Sequence, residues 1–423
     1  MTDQASNWAG NITYRGDVRR PDSVDRLRSL VTCHDRVRAL GTRHSFNDLA
    51  DCPAGVLIST TGLPQIVEVD SAAATVRVTA GTRYAELAAE IDAMGFALPN
   101  LGSLPHVSVG GACATATHGS GVHNGGLATS VRALELVTAD GELVTISRDA
   151  DGDQFNGAVV NLGALGVMVS LTLELVPSFD VRLRVFENLP LDAVDDHFTE
   201  LMSSAYSVCL FTDWRKSEFT QVWINQRIDE PECAVLDTPW FTATPASGPR
   251  HPVSGIAPDS CTTQMGVPGR WYERLPHFRP EFTPSSGAEL QSEYMVGHQD
   301  AVAALHALNR VREHIAPVLQ ISEIRTIGKD ELWMSPCYQR DSVSIHFTWI
   351  DDINAVLPVA ELVEEQLAPF EGIPHWAKIF AMSPEQVRSR YPRLPDFRKL
   401  VRHYDPGGKF LNPFVDRYLA PHD

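Results

Sequence analysis

Apolar positions along this chain repeat with two periods, and each period predicts its own kind of element. Tyr84, Leu87, Ala88, Ile91 and Met94 fall on one helical face, and Gly95 can end that helix. Ser23 to Val31, Asp300 to Ile315 (closed by Pro317) and Asn354 to Leu367 read as three more helices. Ser383-Pro384-Glu385-Gln386 opens another, with a serine cap, a first-turn proline and a glutamine where a capping box needs it. Period-two alternation marks strands: Val76 and Val78 alternate with Arg77 and Thr79, and Val167, Val169, Leu171, Leu173 and Leu175 follow a turn within the apolar stretch Gly157 to Pro177. Leu290 to Tyr294, Leu319 to Ile327, Val343 to Trp349 and His375 to Phe380 read as further strands. Residues 231–286, rich in Pro, Gly, Ser and Thr, predict long loops. The sum is an α+β pattern.

The same alternation sorts the polar side chains. Glu323 and Arg325 share one strand face, His346 and Thr348 lie opposite Val343, Ile345, Phe347 and Trp349, and Gln291 pairs with Glu293. A carboxylate beside a guanidinium can read adjacent hydroxyls of a polyol, one accepting and the other donating; the same pair can equally form a salt bridge on a solvated sheet. Lys378, in an apolar and aromatic setting, reads alone as a snorkelling surface lysine.

Two small-residue loops carry the chemistry. Val37-Arg38-Ala39-Leu40 breaks into Gly41-Thr42-Arg43-His44-Ser45-Phe46-Asn47, a turn whose backbone N–H groups can crowd a phosphate. The second runs from Leu98 through Gly102, Ser103, Ser108, Gly110 and Gly111 to Thr115, Thr117, His118 and Gly121. No G-x-G-x-x-G follows a strand and opens a helix, and neither a Walker loop nor a G-x-S-x-G elbow is present.

These loops, in this order, with Asn7-Trp8-Ala9-Gly10-Asn11 near one end and Gly408-Lys409-Phe410-Leu411-Asn412 near the other, resemble the vanillyl-alcohol oxidase flavoprotein family and, within it, the bacterial alditol (xylitol) oxidases. The resemblance implies a two-part FAD-binding domain, residues 1–178 and 379–423, with an antiparallel-sheet substrate cap over 179–378. It implies covalent FAD, linked once through His44, because doubly linked relatives carry a cysteine where this chain has Leu104. Leu40, Gly41, Thr42, Arg43, Ser45, Ser103, Ser108, Gly110, Gly111, Thr115, Thr117, His118, Gly166, Val167 and His375 become the expected cofactor contacts, and Ser103, Gln291, Glu323, Arg325, His346, Thr348 and Lys378 the expected polyol site.

The implied reaction takes hydride from C1 of a sugar alcohol such as xylitol or sorbitol to flavin N5, with dioxygen reduced to hydrogen peroxide. Lys378 and Arg325 would stabilise alkoxide character, and Glu323 would hold the hydroxyl chain. Lys378, His346 and water remain open as the proton acceptor. Gly102 either leaves room for dioxygen or permits a tight turn. The alternatives are an aldonolactone oxidase or dehydrogenase with the same flavin, and a hydrolase or non-redox sugar-binding protein.

Composition narrows the partners. A net charge of −18 over 423 residues argues against nucleic acid and anionic membranes and suits a neutral substrate. Residues 1–20 hold no apolar run, and Asn161, Ser170, Thr172 and Glu174 interrupt the apolar stretch, so no targeting segment or membrane span is expected. Seven scattered cysteines without a C-x-x-C pair suit a reducing compartment, and a cytoplasmic monomer is expected. His106, His118 and His123 lack the neighbours a metal site needs, so no metal is expected.

Overall fold

A computed structural model describes residues 5–282 and 288–419. The N-terminal part holds two larger sheets and a short antiparallel pairing of Phe96–Ala97 with Val176–Pro177. Asp17–Arg19, Val56–Ser59 and Val37–Leu40 form a small parallel sheet in that order. Val67–Asp70, Thr75–Thr79, Val167–Glu174, Val131–Val137 and Leu143–Ser147 form an antiparallel one. Tyr84–Ala93 packs Tyr84, Leu87, Ala88 and Ile91 inward, and Gly95 follows in the left-handed region at φ 85. The Val24–Cys33 helix starts at Ser23, whose Oγ accepts from the Arg26 N–H.

From Asp180 onward a nine-stranded sheet takes over, and its neighbouring strands pair antiparallel. Its central strands run Ser207–Thr212, Leu319–Ile327, Ser342–Ile350, Glu289–Gly297. One face is apolar: Leu290, Tyr294, Ile324, Val343, Ile345, Phe347 and Trp349 pack against the Ala301–Arg310 and Ile353–Leu367 helices in a single core. With helices covering that face, the alternating residues point the other way, towards the N-terminal part.

Three local expectations change. The 300–315 helix breaks at Val311 into Ala301–Arg310 and Arg312–Ile315, because a short turn intervenes. Gly157 belongs to the Asp153–Val159 helix rather than to a turn. Residues 375–380 form a turn, not a strand: Ile373–Pro374 pairs with the sheet, the N–H groups of His375 and Ile379 still donate to the carbonyls of Glu293 and Gln291, and between them Lys378 N–H closes back on His375 O at 3.1 Å. Residues 283–286 of the predicted loop stretch lie outside the described residues. The capping box at Ser383 is present.

The helices after residue 383 return to the first core, where Val387, Leu394, Phe397 and Phe414 pack with Leu87 and Phe155. Two buried side chains lock this return. Arg38, 2% exposed, donates to the carbonyls of Leu49, Leu162, Gly163 and Phe410 at 2.6–2.9 Å. Asn412 Nδ2 donates to the carbonyls of Asp48, Leu49 and Asp51. Burial pulls Arg38 down to about 10, still charged at neutral pH. Arg38→Met removes this donor from the carbonyls of Leu162, Gly163 and Phe410 and leaves that of Leu49 to Asn412, and is expected to cost about 3 kcal/mol or more, with Asn412→Ala costing about 2 kcal/mol. Urea unfolding at pH 7 checks both; losses below about 1 kcal/mol would show that water replaces these donors.

Candidate active site

The Val37–Leu40 strand delivers the first loop directly beneath the second. A Cβ on Gly41 would lie 2.5 Å from Ser108 Oγ, so a larger residue here would require the Ser108 hydroxyl to turn away. Thr42 Oγ1 accepts the Ser108 N–H at 3.0 Å and also lies 3.1 Å from His44 Nδ1, tying both loops to the imidazole. Trp8 stacks on that ring at 5.8 Å and 18°. His44 Nε2 is buried with no hydrogen-bond partner among the described residues. Burial, followed by the positive fields of His106, Lys378 and Arg83, pulls His44 down to about 4, so the ring is neutral at pH 7.

These loops form the floor of one cavity. Every residue expected at the cofactor lines it, with one exception. Val167 points away into the apolar cluster with Val37, Val137 and Phe410, and Gly166 and Met168 line the cavity in its place, as alternation along a strand requires. A second cavity shares Leu40 to His44 and continues past Thr60, Thr61, Thr82 and Arg83. A long cleft walled by small loop residues, together with a buried neutral imidazole lacking a protein partner, fits FAD. Among the described residues no cysteine lines the main cavity.

The polar sheet face forms the opposite wall. Register sets its rows: Phe211, Glu323, His346 and Glu293 are successive cross-strand partners, as are Cys209, Arg325, Ser344 and Met295, and then Ile321, Thr348 and Gln291. Glu293 Oε1 accepts from Arg325 Nη2 at 2.8 Å and Ser344 Oγ at 2.9 Å, and His118 Nε2 lies 3.1 Å away. Arg325 Nη1 donates to Ser103 Oγ at 3.0 Å. Burial, the largest influence on Glu293, favours its neutral form, but His118 and Arg325 overcome it and hold the carboxyl well below its usual range. Burial likewise opposes the Arg325 charge, and Glu323 and Glu293 outweigh it, so the guanidinium holds its proton more firmly than usual.

Lys378 reaches this wall from its turn, where Nζ donates to Gln291 Oε1. His346 Nε2 lies 3.2 Å from the same oxygen. Burial lowers both groups; the Lys378 charge lowers His346 further, and Glu293 partly restores Lys378. His346 is therefore neutral. Thus Ser103, Gln291, Glu323, Arg325, His346, Thr348 and Lys378 all face one cavity with His44.

Several contributors escaped the sequence reading. Glu293 was legible as the partner of Gln291 on a strand face, without a role. His277, whose Nε2 lies 2.7 Å from Glu323 Oε1, sits in an irregular loop that offers no periodic signal. Asn47 donates to the carbonyls of Trp376 and Lys378, a contact across more than 300 residues that spacing does not reveal.

Residues 18–147 match the family of FAD binding domains, and residues 288–418 match the family described as D-arabinono-1,4-lactone oxidase. The chain is 51% identical to an alditol oxidase from Streptomyces sp., covering 98% of this chain and 99% of that protein. It is 29% identical to an L-gulono-1,4-lactone dehydrogenase from Mycobacterium tuberculosis, covering 98% and 99%. A solved solvent-stable cholesterol oxidase shares the fold, with a TM-score of 0.79 at 16% identity, over 98% of this chain and 97% of that one.

His375, buried and pulled down to about 3 chiefly by burial, behaves as His44 does. An unfolded imidazole titrates near 6.5, so between about pH 6.5 and 4 the unfolded chain binds more protons than the native one. Stability therefore rises with pH across this window and is lost on acidification. His375→Asn keeps an acceptor for the Ala377 N–H, which His375 Nδ1 now accepts at 3.1 Å. It should reduce the slope of unfolding free energy against pH by about 1 kcal/mol per unit near pH 5. Urea titrations from pH 7 to 4.5 check this; an unchanged slope would mean that native His375 carries a proton.

Proposed function

The chain belongs to the alditol oxidases of the vanillyl-alcohol oxidase flavoprotein family, and on that premise we propose that it takes hydride from C1 of a sugar alcohol such as xylitol or sorbitol and releases the aldose. Membership of an FAD-binding oxidoreductase family sets aside a hydrolase or a non-redox sugar-binding protein. FAD, when bound, supplies the hydride acceptor at N5 and passes the electrons to dioxygen, yielding hydrogen peroxide. One observation carries the reading: a hydroxyl-reading wall and a buried, partnerless imidazole share a single cavity.

The chain's own groups divide the work. Arg325 and Lys378 present positive charge to the C1 oxygen as its proton leaves, a preorganised field. Glu323 accepts and Ser103, Gln291 and Thr348 donate or accept along the remaining hydroxyls, holding C1 in reach of the acceptor. His44 carries the single covalent link, because a neutral imidazole with a free nitrogen is the nucleophilic form. We assign residues 1–178 and 379–423 to the FAD-binding domain and 179–378 to the cap. Among the described residues no helix is long and apolar enough to cross a membrane. All seven cysteines are free, which supports a reducing compartment such as the cytoplasm.

Gly102 supports dioxygen as acceptor. Its φ is not in the left-handed region, and an added Cβ would meet its nearest neighbour, His118 O, at an ordinary 3.5 Å, so neither backbone nor packing demands glycine there. What the missing methyl group leaves is room beside the cavity. The match of residues 288–418 to a lactone oxidase family favours a sibling reading in which an aldonolactone is the substrate.

A peroxide-coupled screen of xylitol, sorbitol, mannitol, glycerol and galactonolactone separates the two readings. Xylitol or sorbitol is expected to lead; a preference for the lactone overturns the polyol assignment. Lys378→Met and Arg325→Ala should each lose about 100-fold or more in turnover while the protein stays yellow. Arg325→Lys retains a charge for Glu293 and separates chemistry from folding. Wild-type colour should remain in the acid-precipitated pellet, and His44→Ala should release it. Stopped-flow mixing of reduced Gly102→Ala with air should show slowed reoxidation with substrate reduction intact.

A further inference from the structure

His277 takes no part in the roles assigned above, yet it touches two of their carriers. Its Nε2 lies 2.7 Å from Glu323 Oε1, and its backbone N–H donates to the carbonyl of Ser103 at 3.1 Å. Phe211 and Trp223 hold the ring at 5.6 and 5.2 Å between centroids. The residue comes from the irregular stretch between the Glu218–Arg227 and Glu289–Gly297 strands, whereas Glu323 stands on the sheet and Ser103 on the loop by His44. One residue thus ties together three parts of the chain that do not otherwise share a secondary-structure element.

Cys209, His277 and Glu323 also form the one trio of metal-type side chains among the described residues, their ligand atoms within 4.8 Å of one another. Two observations turn the trio away from cation binding. Arg325 Nε is 3.6 Å from Glu323 Oε1, so the carboxylate already has its positive charge. Burial and Glu323 push the Cys209 thiol well above its usual range, so a thiolate ligand is not on offer. Burial also keeps the His277 ring neutral. With Nε2 as its N–H, the ring donates to the carboxylate and leaves Nδ1 unprotonated; Nδ1 is buried and partnerless among the described residues.

We propose that His277 is the positioning residue that sets polyol recognition, clamping the Glu323 carboxylate and fixing its spacing to Ser103 so that both meet the hydroxyl chain in register. This rests on the polyol reading above. His277 does not touch the C1 centre; it acts through Glu323. Its loss therefore weakens binding of the hydroxyl chain more than it slows hydride removal, because the charges at C1 belong to Arg325 and Lys378.

The test is a double-mutant cycle in the flavin-loaded full-length enzyme, with xylitol as probe. His277→Ala should raise KM about tenfold while kcat changes far less, the loss of one hydrogen bond to a charged group. Glu323→Gln should raise KM as well, and adding His277→Ala to it should bring little further change, since the clamp then has no carboxylate to hold. His277→Gln, which keeps a side-chain N–H, should restore most of the KM. If His277→Ala does not accumulate as yellow protein, the same cycle run with His277→Phe in its place decides the matter. Additive effects of the two substitutions, an unchanged KM, or a kcat loss as large as the KM rise would overturn the proposal while leaving the polyol reading standing. A wild-type enzyme that oxidises no polyol would take down both.

Discussion

The ion pair between Glu293 and Arg325 is the constraint on which the rest of the site depends. Both side chains are almost wholly buried, Glu293 at 2% and Arg325 at 6% exposure. Desolvating two charges costs several kcal/mol each, about as much as their attraction returns, so such a pair persists only when further hydrogen bonds complete it. Here Ser344 completes the carboxylate at 2.9 Å and Ser103 the guanidinium at 3.0 Å. His118 lies 3.1 Å from the same carboxylate oxygen. Ser103 and His118 come from the loops of the N-terminal part, Glu293, Ser344 and Arg325 from three adjacent strands of the large sheet. The charge pair is therefore also the seam between the loops around His44 and the polar face of the large sheet. Removing either charge leaves the other stranded in a low-dielectric interior.

Register converts that seam into a recognition surface. In an antiparallel sheet a slip by one residue turns every side chain to the other face, and the apolar helix-covered face here makes such a slip prohibitive. Leu290, Ile345 and Phe347 on one face thus dictate where Gln291, His346 and Thr348 stand on the other. Neutral His346 follows from the same burial, so this imidazole adds no charge to the wall. A wall of paired charges and neutral donors suits a neutral, many-hydroxyl ligand, in keeping with a chain whose overall charge of −18 repels anions.

Much of this was legible in the sequence, and for a physical reason. Period-two alternation is a local property, so the strand faces bearing Glu323 with Arg325 and His346 with Thr348 could be read without knowing their neighbours. The serine cap at 383 is local too, and it is present. What failed was either irregular or long-range. Residues 375–380 carry an apolar and aromatic run that reads as a strand, but the regular pairing ends at Pro374 and the chain then closes a turn between the sheet contacts of His375 and Ile379. Val167 was expected at the cofactor beside Gly166, although the first residue of a strand already obeys the strand's alternation. His277 lies in a stretch without period, and the reach of Arg38 to Leu162 and Phe410 spans 124 and 372 positions, which no window of sequence contains.

The turn that carries Lys378 shows how such long-range contacts set chemistry. A lysine on a free turn would sample many rotamers, and burying it costs side-chain entropy and lowers its hold on the proton. Here the first loop supplies the restraint: Asn47 Nδ2 donates to the carbonyls of Trp376 and Lys378 at 2.8 Å, and Phe46 N–H to that of Ala377 at 2.7 Å. Phe46 also lies under the ammonium, whose Nζ is 5.1 Å from the ring centroid. These residues stand two and three positions after His44. The segment that bears the imidazole therefore also holds the backbone of the lysine. The large sheet holds the same turn from its other side, where His375 N–H donates to Glu293 O at 2.9 Å and Ile379 N–H to Gln291 O at 2.8 Å. Lys378 is thus anchored both to the loop that carries the imidazole and to the polar face of the large sheet, whereas Arg325 stands on a strand of that sheet.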